Sequence, residues 1–423
     1  MIRILAGVFV FLFSINIMAL EWSVRVQGEA WETENLKTVV YGNGLFVAAG
    51  NFGAAFSSTD GIQWTDSPIS PNSTASFNEI IWDGARFVAV GMSGIIFTST
   101  DGSEWTDQSS SISNNNVYFE SVAAGDGGYV AVGWEGGASG GHRIYTSTDA
   151  TSWTAQTSPV TTSSGKLYDV VWGDGQYVAV GSDGVVMTSA DGVGWTVQTT
   201  TDTDASLFCV AFIDGLYYAG GGEMDAYLIT SPDGVTWTQR TIPMVDQYYS
   251  DIIQDIIPFG DKVAAVCKFL YTSTDGIEWD VEDLRDVAEG EIFYSAALSD
   301  EIAVLVGKYG TIISTPVSGL VTASLPRQIN QQNTDGYALQ QVFSNPANRL
   351  ADISITLPQN QPRVVVSVSD MQGRIVRRVF NGALKAGQHT MHFDASSLSP
   401  GQYICRLKSG LGVCHKSLLV APH

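Results

Sequence analysis

Residues 98–105 read TSTDGSEW, and close copies of this stretch decide the fold. They are SSTDGIQW at 57–64, TSTDATSW at 146–153, TSADGVGW at 188–195, TSPDGVTW at 230–237 and TSTDGIEW at 272–279. Asp-Gly marks a tight hairpin, because glycine accepts positive φ and aspartate takes backbone N–H bonds. The preceding Ser or Thr adds a local bond, and the following Trp lays a large ring on the sheet. The pairs Asp60/Trp64, Asp101/Trp105, Asp149/Trp153, Asp191/Trp195, Asp233/Trp237 and Asp275/Trp279 are therefore expected to be structural.

The serines of these hairpins, at 58, 99, 147, 189, 231 and 273, are 41, 48, 42, 42 and 42 residues apart, and 41 more reaches Ser314. Periods of this length in a β-patterned chain indicate propeller blades. Helical periodicity is missing; short apolar runs such as FVAVG at 87–91 and YVAVG at 129–133 and 177–181 recur instead. A second marker extends the count. The pairs Tyr41/Gly50, Trp82/Gly91, Ala124/Gly133, Trp172/Gly181, Phe212/Gly221, Pro258/Cys267 and Leu298/Gly307 are each nine apart, which gives seven repeats.

In the seventh repeat the hairpin breaks down to ISTPVSG at 313–319. Trp22 precedes Tyr41 by 19 residues, within the 17–21 that separate each hairpin Trp from the next first-strand marker. The expectation is an all-β fold: a seven-bladed β-propeller over 20–319, closed by the N-terminal strand, followed by a small C-terminal β-sandwich. Such closure leaves no open sheet edge. The motif resembles the Asp-box (BNR-like) repeats of bacterial sialidases, sortilin-type receptors and photosystem II assembly propellers, with Trp four residues after Asp instead of five. In those families the boxes are structural, and the same is implied here.

Arg3, the apolar run ILAGVFVFLF at 4–13 and the small residue Ala19 read as a signal peptide over 1–19. The run is too short to span a bilayer, and no later segment reads as transmembrane. Charge divides the remainder. Residues 327–423 hold ten Lys/Arg and four Asp/Glu, a balance of +6, and subtraction from the totals of 21 and 43 leaves −28 before them. So acidic a first domain argues against nucleic acid as a partner.

Residues 320–340 read as a linker. Within 341–423, Ser344-Asn345-Pro346, VSVSDMQGR at 366–374, Ala386-Gly387-Gln388-His389, LSPGQY at 398–403 and KSLLV at 416–420 resemble the C-terminal sorting domain of type IX secretion. The resemblance implies recognition by that secretion machinery, passage across the outer membrane, and a secreted or cell-surface product. Alternating apolar residues and Gly turns there fit a β-sandwich. Cys405 and Cys414 flank a hairpin centred on Ser409-Gly410 and are candidates for a disulfide; Cys209 and Cys267 are a weaker pair or free thiols.

Hairpin turns lie on one rim of this topology, and the longer, variable loops lie on the other, where binding residues usually sit. The longest are WEGGASGGHR at 134–143, with Trp134, and RTIPMVDQYYSDIIQ at 240–254, with Tyr248 and Tyr249. Three residues before each first-strand marker stand Thr38, Glu79, Ser121, Asp169, Cys209, Asp255 and Ser295; one position earlier stand Lys37, Asn78, Glu120, Tyr168, Phe208, Gln254 and Tyr294. Carboxylates beside aromatic rings suit sugars, so the binding candidates are Glu79, Glu120, Asp169, Asp255, Tyr168, Phe208, Tyr294, Trp134, Tyr248 and Tyr249.

Polar channel lining is the plainer reading of the same ring. The expected role is binding of glycans or extracellular polymers; a carboxylate-based glycoside hydrolase and a protein-binding scaffold are the alternatives. His142 is the single histidine before the tail, so neither a histidine triad nor a histidine-rich metal site can be built. Five arginines between 20 and 319 are a poor match to a sialidase carboxylate site. No catalytic residue and no metal ligand is assigned. Calcium stays open, although no D-x-D-x-D-G loop is present.

Overall fold

The computed structural model describes residues 21–26, 35–317, 338–343 and 350–420, apart from 73, 113, 138–139, 161–164, 199–204, 224, 244–250, 261, 289–290, 370–374, 396–397, 399–400 and 410–411. The expected signal peptide, most of the linker, Tyr248 and Tyr249 lie outside the described residues.

Between Ser23 and Pro316 the strands form seven four-stranded antiparallel sheets. The first holds Leu36–Gly42, Leu45–Gly50, Ala55–Ser58 and Thr65–Asp66. Five more follow in sequence, with first strands Phe77–Trp82, Val117–Gly125, Leu167–Gly173, Leu207–Ile213 and Asp255–Phe259. The seventh draws Phe293–Leu298, Ile302–Gly307 and Ile312–Pro316 from one part of the chain and Ser23–Val26 from the other. Ser23 stands opposite Ser314, and Arg25 Nε donates to Ser314 Oγ at 2.7 Å across a separation of 289 positions. Each first strand packs beside the next, and that of the seventh sheet packs beside that of the first.

The second strands, such as FVAVG, are continuously apolar because both faces of each sheet are covered. Val47 and Ala49 of the first sheet, for example, share a core with Phe77, Ile80 and Phe87 of the second. Trp22, on the N-terminal segment, is 8% exposed and packs with Phe259 and Leu270 of the sixth sheet and Phe293 and Ile313 of the seventh.

The repeated hairpins are local hydrogen-bond locks. Ser58 Oγ donates to Asp60 Oδ1 at 3.0 Å and accepts from Gly61 N at 2.8 Å. Asp60 Oδ1 also accepts from Ile62 N and Gln63 N, both at 2.8 Å. Asp149, Asp191 and Asp233 accept in the same way from Thr151 N, Val193 N and Val235 N. Such donors hold the Asp60 carboxyl below its ordinary pKa and bring Asp101 to about 2. The glycine also allows a close approach. A Cβ on Gly61, where φ is +66°, would fall 2.9 Å from Ile302 Cγ2 of the seventh sheet. The third hairpin has Ala150 at that position, with φ +62°.

The hairpin tryptophans are less uniform than the repeated motif predicts. Four close their turns through Nε1 onto the carbonyl three residues back. Trp105 donates to Gly102 O at 3.2 Å, Trp153 to Ala150 O at 3.2 Å, Trp195 to Gly192 O at 2.8 Å and Trp237 to Gly234 O at 3.0 Å. Trp64 and Trp279 depart from this: each Nε1 is buried with no hydrogen-bond partner among the described residues. Rings meet an aromatic side chain of their own sheet, Trp64 on Phe46, Trp105 on Phe87, Trp153 on Tyr129 and Trp237 on Tyr217. Trp279 instead meets Tyr218 of the preceding sheet.

The hairpin rings also differ in depth of burial. Trp153 and Trp237 are both 4% exposed, whereas Trp64 and Trp105 are only half-buried. The two half-buried rings precede the shortest fourth strands, Thr65–Asp66 and Thr106–Asp107, where the outer edge has least paired backbone to cover them. Trp153 and Trp237 precede the longer Thr154–Gln156 and Thr238–Arg240.

Six of the seven first strands carry a register shift near their start, as between Phe77 and Glu79 or Leu167 and Asp169. The extra residue in each bulge comes from the set Lys37, Asn78, Glu120, Tyr168, Phe208 and Tyr294. The marker glycine ending the second strand makes room for it: a Cβ on Gly91 would lie 2.0 Å from Ser76 O. In the sixth sheet that place is taken by Cys267, and the paired register from Asp255 onward runs without a shift.

In the tail, Ala338–Phe343, Leu350–Leu357 and Gly387–Asp394 form one sheet, and Ile375–Leu384, Gln361–Ser369, Gly401–Ser409 and Gly412–Val420 form another. Ile353, Ile355 and Phe393 of the first share a core with Val366, Tyr403 and Leu418 of the second. The proposed Cys405–Cys414 disulfide is corrected here. Register sets Cys405 opposite Lys416 and Cys414 opposite Leu407, so the two are diagonal, a spacing too wide to bridge. Cys405 is a buried free thiol, as are Cys209 and Cys267.

Candidate functional site

The rim on which first strands begin, and on which second strands turn into third, collects most of the predicted binding residues. Two layers stand there, set by the bulge. Below it, the side chain at each inner position accepts the backbone N–H of the neighbouring sheet. Thr38 Oγ1 takes Ile80 N at 3.1 Å, Glu79 Oε2 takes Val122 N at 2.7 Å and Ser121 Oγ takes Val170 N at 3.2 Å. Asp169 Oδ2 takes Val210 N at 2.6 Å, Asp255 Oδ2 takes Ala296 N at 2.9 Å and Ser295 Oγ takes Val39 N at 3.2 Å. Cys209 departs from the pattern, its thiol directed at Gly220 O of its own sheet at 3.6 Å.

Glu79, Asp169 and Asp255 are thus inter-sheet fasteners. They are also close enough for their charges to act on one another. Burial first, and then the Asp169 charge, push Glu79 well above the ordinary carboxylate range. Burial raises Asp169 to about 7 and Asp255 to about 6. Ser121 Oγ donates to Asp169 Oδ1 at 2.6 Å. Among the described residues, no group of three or more His, Cys, Asp or Glu is arranged to hold a metal ion.

The bulged layer above is aromatic and cationic. Tyr168 and Phe208 meet at 4.7 Å between ring centroids, and Lys37 Nζ stands 4.0 Å over the Tyr294 ring. The third sheet reaches higher than the rest, because its second and third strands, Gly128–Glu135 and Gly141–Ser147, extend into the predicted long loop. That extension places Trp134 opposite Tyr118, stacked at 4.3 Å with an interplanar angle of 12°. Trp134 Nε1 donates to Glu120 Oε1 at 2.7 Å, and Lys166 Nζ lies 4.1 Å over the same ring. Burial raises the Glu120 pKa, opposed by Trp134, Lys166 and Lys37.

Tyr118, Lys166, Lys308 and Tyr309 were not singled out from sequence. The Trp134–Tyr118 contact depends on strand register, which the loop-like composition of 134–143 conceals. Tyr309 has φ +56° and is 41% exposed, an uncommon posture for a bulky side chain. His142, opposite Trp134 in register, is 3% exposed and neither ring nitrogen has a hydrogen-bond partner among the described residues. Burial lowers its pKa to about 4.

Residues 341–421 match the family described as the secretion system C-terminal sorting domain. The protein is accordingly exported by the type IX route and is secreted or held at the outer cell surface. No curated protein matches the chain. Among solved structures it is similar to a streptogramin B lyase (TM-score 0.59, 9% identity), covering 70% of this chain and 98% of that one. It is similar to virginiamycin B lyase from Staphylococcus aureus (TM-score 0.56, 11% identity; 70% and 99% covered) and to YCF48 bound to D1 peptide (TM-score 0.52, 19% identity; 70% and 96% covered). These are β-propellers, and likeness at such identity shows that fold alone.

Proposed function

We propose that the protein is a secreted or surface-attached binding protein built on a closed seven-bladed β-propeller over 20–319, joined by a linker at 320–340 to its sorting domain. The seven sheets, the pairing of Ser23–Val26 with Ile312–Pro316, and the packing of the last first strand on the first support the ring. The hairpins act as Asp-box-type structural locks. The ligand class is glycans or extracellular polymers, bound on the rim that carries the bulged residues.

The observation behind this reading is the aromatic layer of Tyr118, Trp134, Tyr168, Phe208 and Tyr294, all partly exposed beside polar groups. Partly exposed rings offer flat apolar faces to a sugar, and neighbouring polar groups reach its hydroxyls. The hydrolase alternative would need two carboxylates free to act on a glycosidic bond. Glu79, Asp169 and Asp255 each accept a neighbouring sheet's N–H instead, which favours binding.

The test is the mature full chain on a glycan array, run beside a polysaccharide-hydrolysis screen. Trp134→Ala and Tyr168→Ala are expected to weaken a bound glycan tenfold or more. Sugar release abolished by Asp169→Asn would replace the binding reading with the enzyme one. Absence of both glycan binding and cleavage would move the protein-scaffold reading ahead.

A further inference from the structure

The glycan reading leaves the charge of its ligand open, and the acidity of the domain suggests a neutral or cationic one. The distribution of basic groups argues otherwise. Arg86, Arg143, Lys262 and Arg285 each have a carboxylate within 4.0 Å. Lys37, Lys166 and Lys308 have none among the described residues. Each of these three instead lies over an aromatic ring of the bulged layer or its adjoining turns: Lys37 over Tyr294 at 4.0 Å, Lys166 over Trp134 at 4.1 Å, and Lys308 over Tyr309 at 4.4 Å.

An ammonium on a ring face still has donors to offer, since lysine carries three and the ring occupies one side. The three lysines are linked through shared neighbours. Lys308 acts electrostatically on Tyr294, which Lys37 covers, while Lys166 and Lys37 both act on Glu120. The facing acids are Glu120, tied to Trp134 Nε1, Glu291, which acts on Tyr294, and Asp183, which acts on Tyr168 and His142. Six of the domain's acids lie on the opposite rim, where each repeat hairpin fixes an aspartate, as Asp60, Asp101 and Asp275 show. Partial burial of Lys37 lowers its pKa, with only partial relief from Glu120, so a further anion would stabilise its charged form.

We infer that this rim takes a carboxylated polysaccharide, its sugar rings lying on the faces of Tyr118 and Tyr294 that Trp134 and Lys37 leave uncovered and its uronate carboxylates meeting Lys37, Lys166 and Lys308. This rests on the glycan reading above and narrows it to acidic sugars. Lysine–carboxylate contacts at a solvated rim are screened by salt, whereas ring stacking is not.

The experiment is calorimetric titration of the mature full chain with polygalacturonate and, separately, with its fully methyl-esterified form, at low and high salt. The acid polymer is expected to bind at least tenfold tighter at low salt, and the margin should shrink at high salt. Lys37→Gln combined with Lys166→Gln should remove the margin, so that the acid and ester polymers bind alike, with circular dichroism showing that the double variant is folded. Equal binding of the two polymers overturns the acidic assignment and leaves the glycan reading intact. Binding of neither polymer, with an array that retains neutral glycans, overturns it in the same way; an array with no bound glycan overturns both. Equally tight, lysine-dependent binding of poly-glutamate would show recognition of charge without sugar and overturn the polysaccharide assignment.

Discussion

Trp22 tests the closure of the ring by a single side chain. It belongs to the N-terminal segment but fills the place in the seventh sheet that a hairpin Trp fills elsewhere, as Trp279 does in the sixth, with 8% and 7% exposure respectively. A Trp side chain buries about 200 Å², worth about 5 kcal/mol at 25 cal/mol per Å². That figure is an upper bound, since the unfolded chain already hides part of its surface. Truncations of buried Trp to Ala cost about 3–5 kcal/mol, so Trp22→Ala is expected to cost about 4 kcal/mol. For a domain of this size, at about 2 °C per kcal/mol, the melting temperature should fall by about 8 °C.

Thermal unfolding followed by circular dichroism measures the shift. Trp279→Ala is the matched comparison, and Val24→Ala, at a side chain 37% exposed on the same strand, is the control expected to change little. Removal of residues 20–26 should lower the melting temperature further, because the strand pairing and the Arg25–Ser314 bond go with the ring. A Trp22→Ala protein melting within 2 °C of the parent, beside a Trp279→Ala protein that loses the full amount, would refute closure by this segment.

Other outcomes follow from the same geometry. His142 is neutral in the fold, with a pKa near 4 against about 6.5 unfolded, so its contribution to stability is complete above pH 6.5 and lost as pH falls towards 4; in denaturant titrations the difference in stability between the parent and His142→Phe should shift by about 3 kcal/mol across that window, to the parent's disadvantage at the acid end. Asp169 has the opposite sign. Its raised pKa of about 7 means that the folded state retains a proton the unfolded chain releases, so stability falls as pH rises from about 4 to 7, and Asp169→Asn should flatten that slope in the same titrations. Ala150→Gly relieves a left-handed alanine and should raise stability by up to about 1 kcal/mol, read as a higher unfolding midpoint. Asp101→Ala removes the acceptor for Ser103 N and Glu104 N and should cost about 1 kcal/mol, with Asp101→Asn costing less.

Much of the architecture was legible because it is written in local chemistry. A Ser-x-Asp-Gly hairpin makes its bonds within a few residues, so each copy declares itself wherever it stands, and the spacing of copies counts sheets. Trp22 was legible for the same reason, by its distance from the next first strand. How deeply each hairpin ring sinks was not legible, because Trp64 and Trp153 carry the same motif and differ in the strand that follows. The tail's disulfide was misread because a hairpin centre guessed from Ser-Gly leaves register uncertain by a residue, and that residue moves the cysteines from opposite to diagonal. The inner ring of Thr38, Glu79, Ser121, Asp169, Asp255 and Ser295 was located but not understood. Its side chains find their donors in a different repeat, 43 residues away for Glu79 and Val122 and 256 for Ser295 and Val39.

The sequence by itself determined the repeating β unit, the division between an acidic repeat region and a basic sorting tail, and the pairing of the chain's early segment with its seventh repeat. Each of these depends on short-range bonding or on composition. Only the tertiary structure decided which side chains serve the ring and which face outward. The bulge at six of the seven first strands turns one residue to the rim and, in all of these but the one carrying Cys209, its successor to the neighbouring sheet, and neighbouring sheets supply the N–H groups that occupy the carboxylates. That sorting depends on register and on inter-sheet contact, neither of which a linear spacing records.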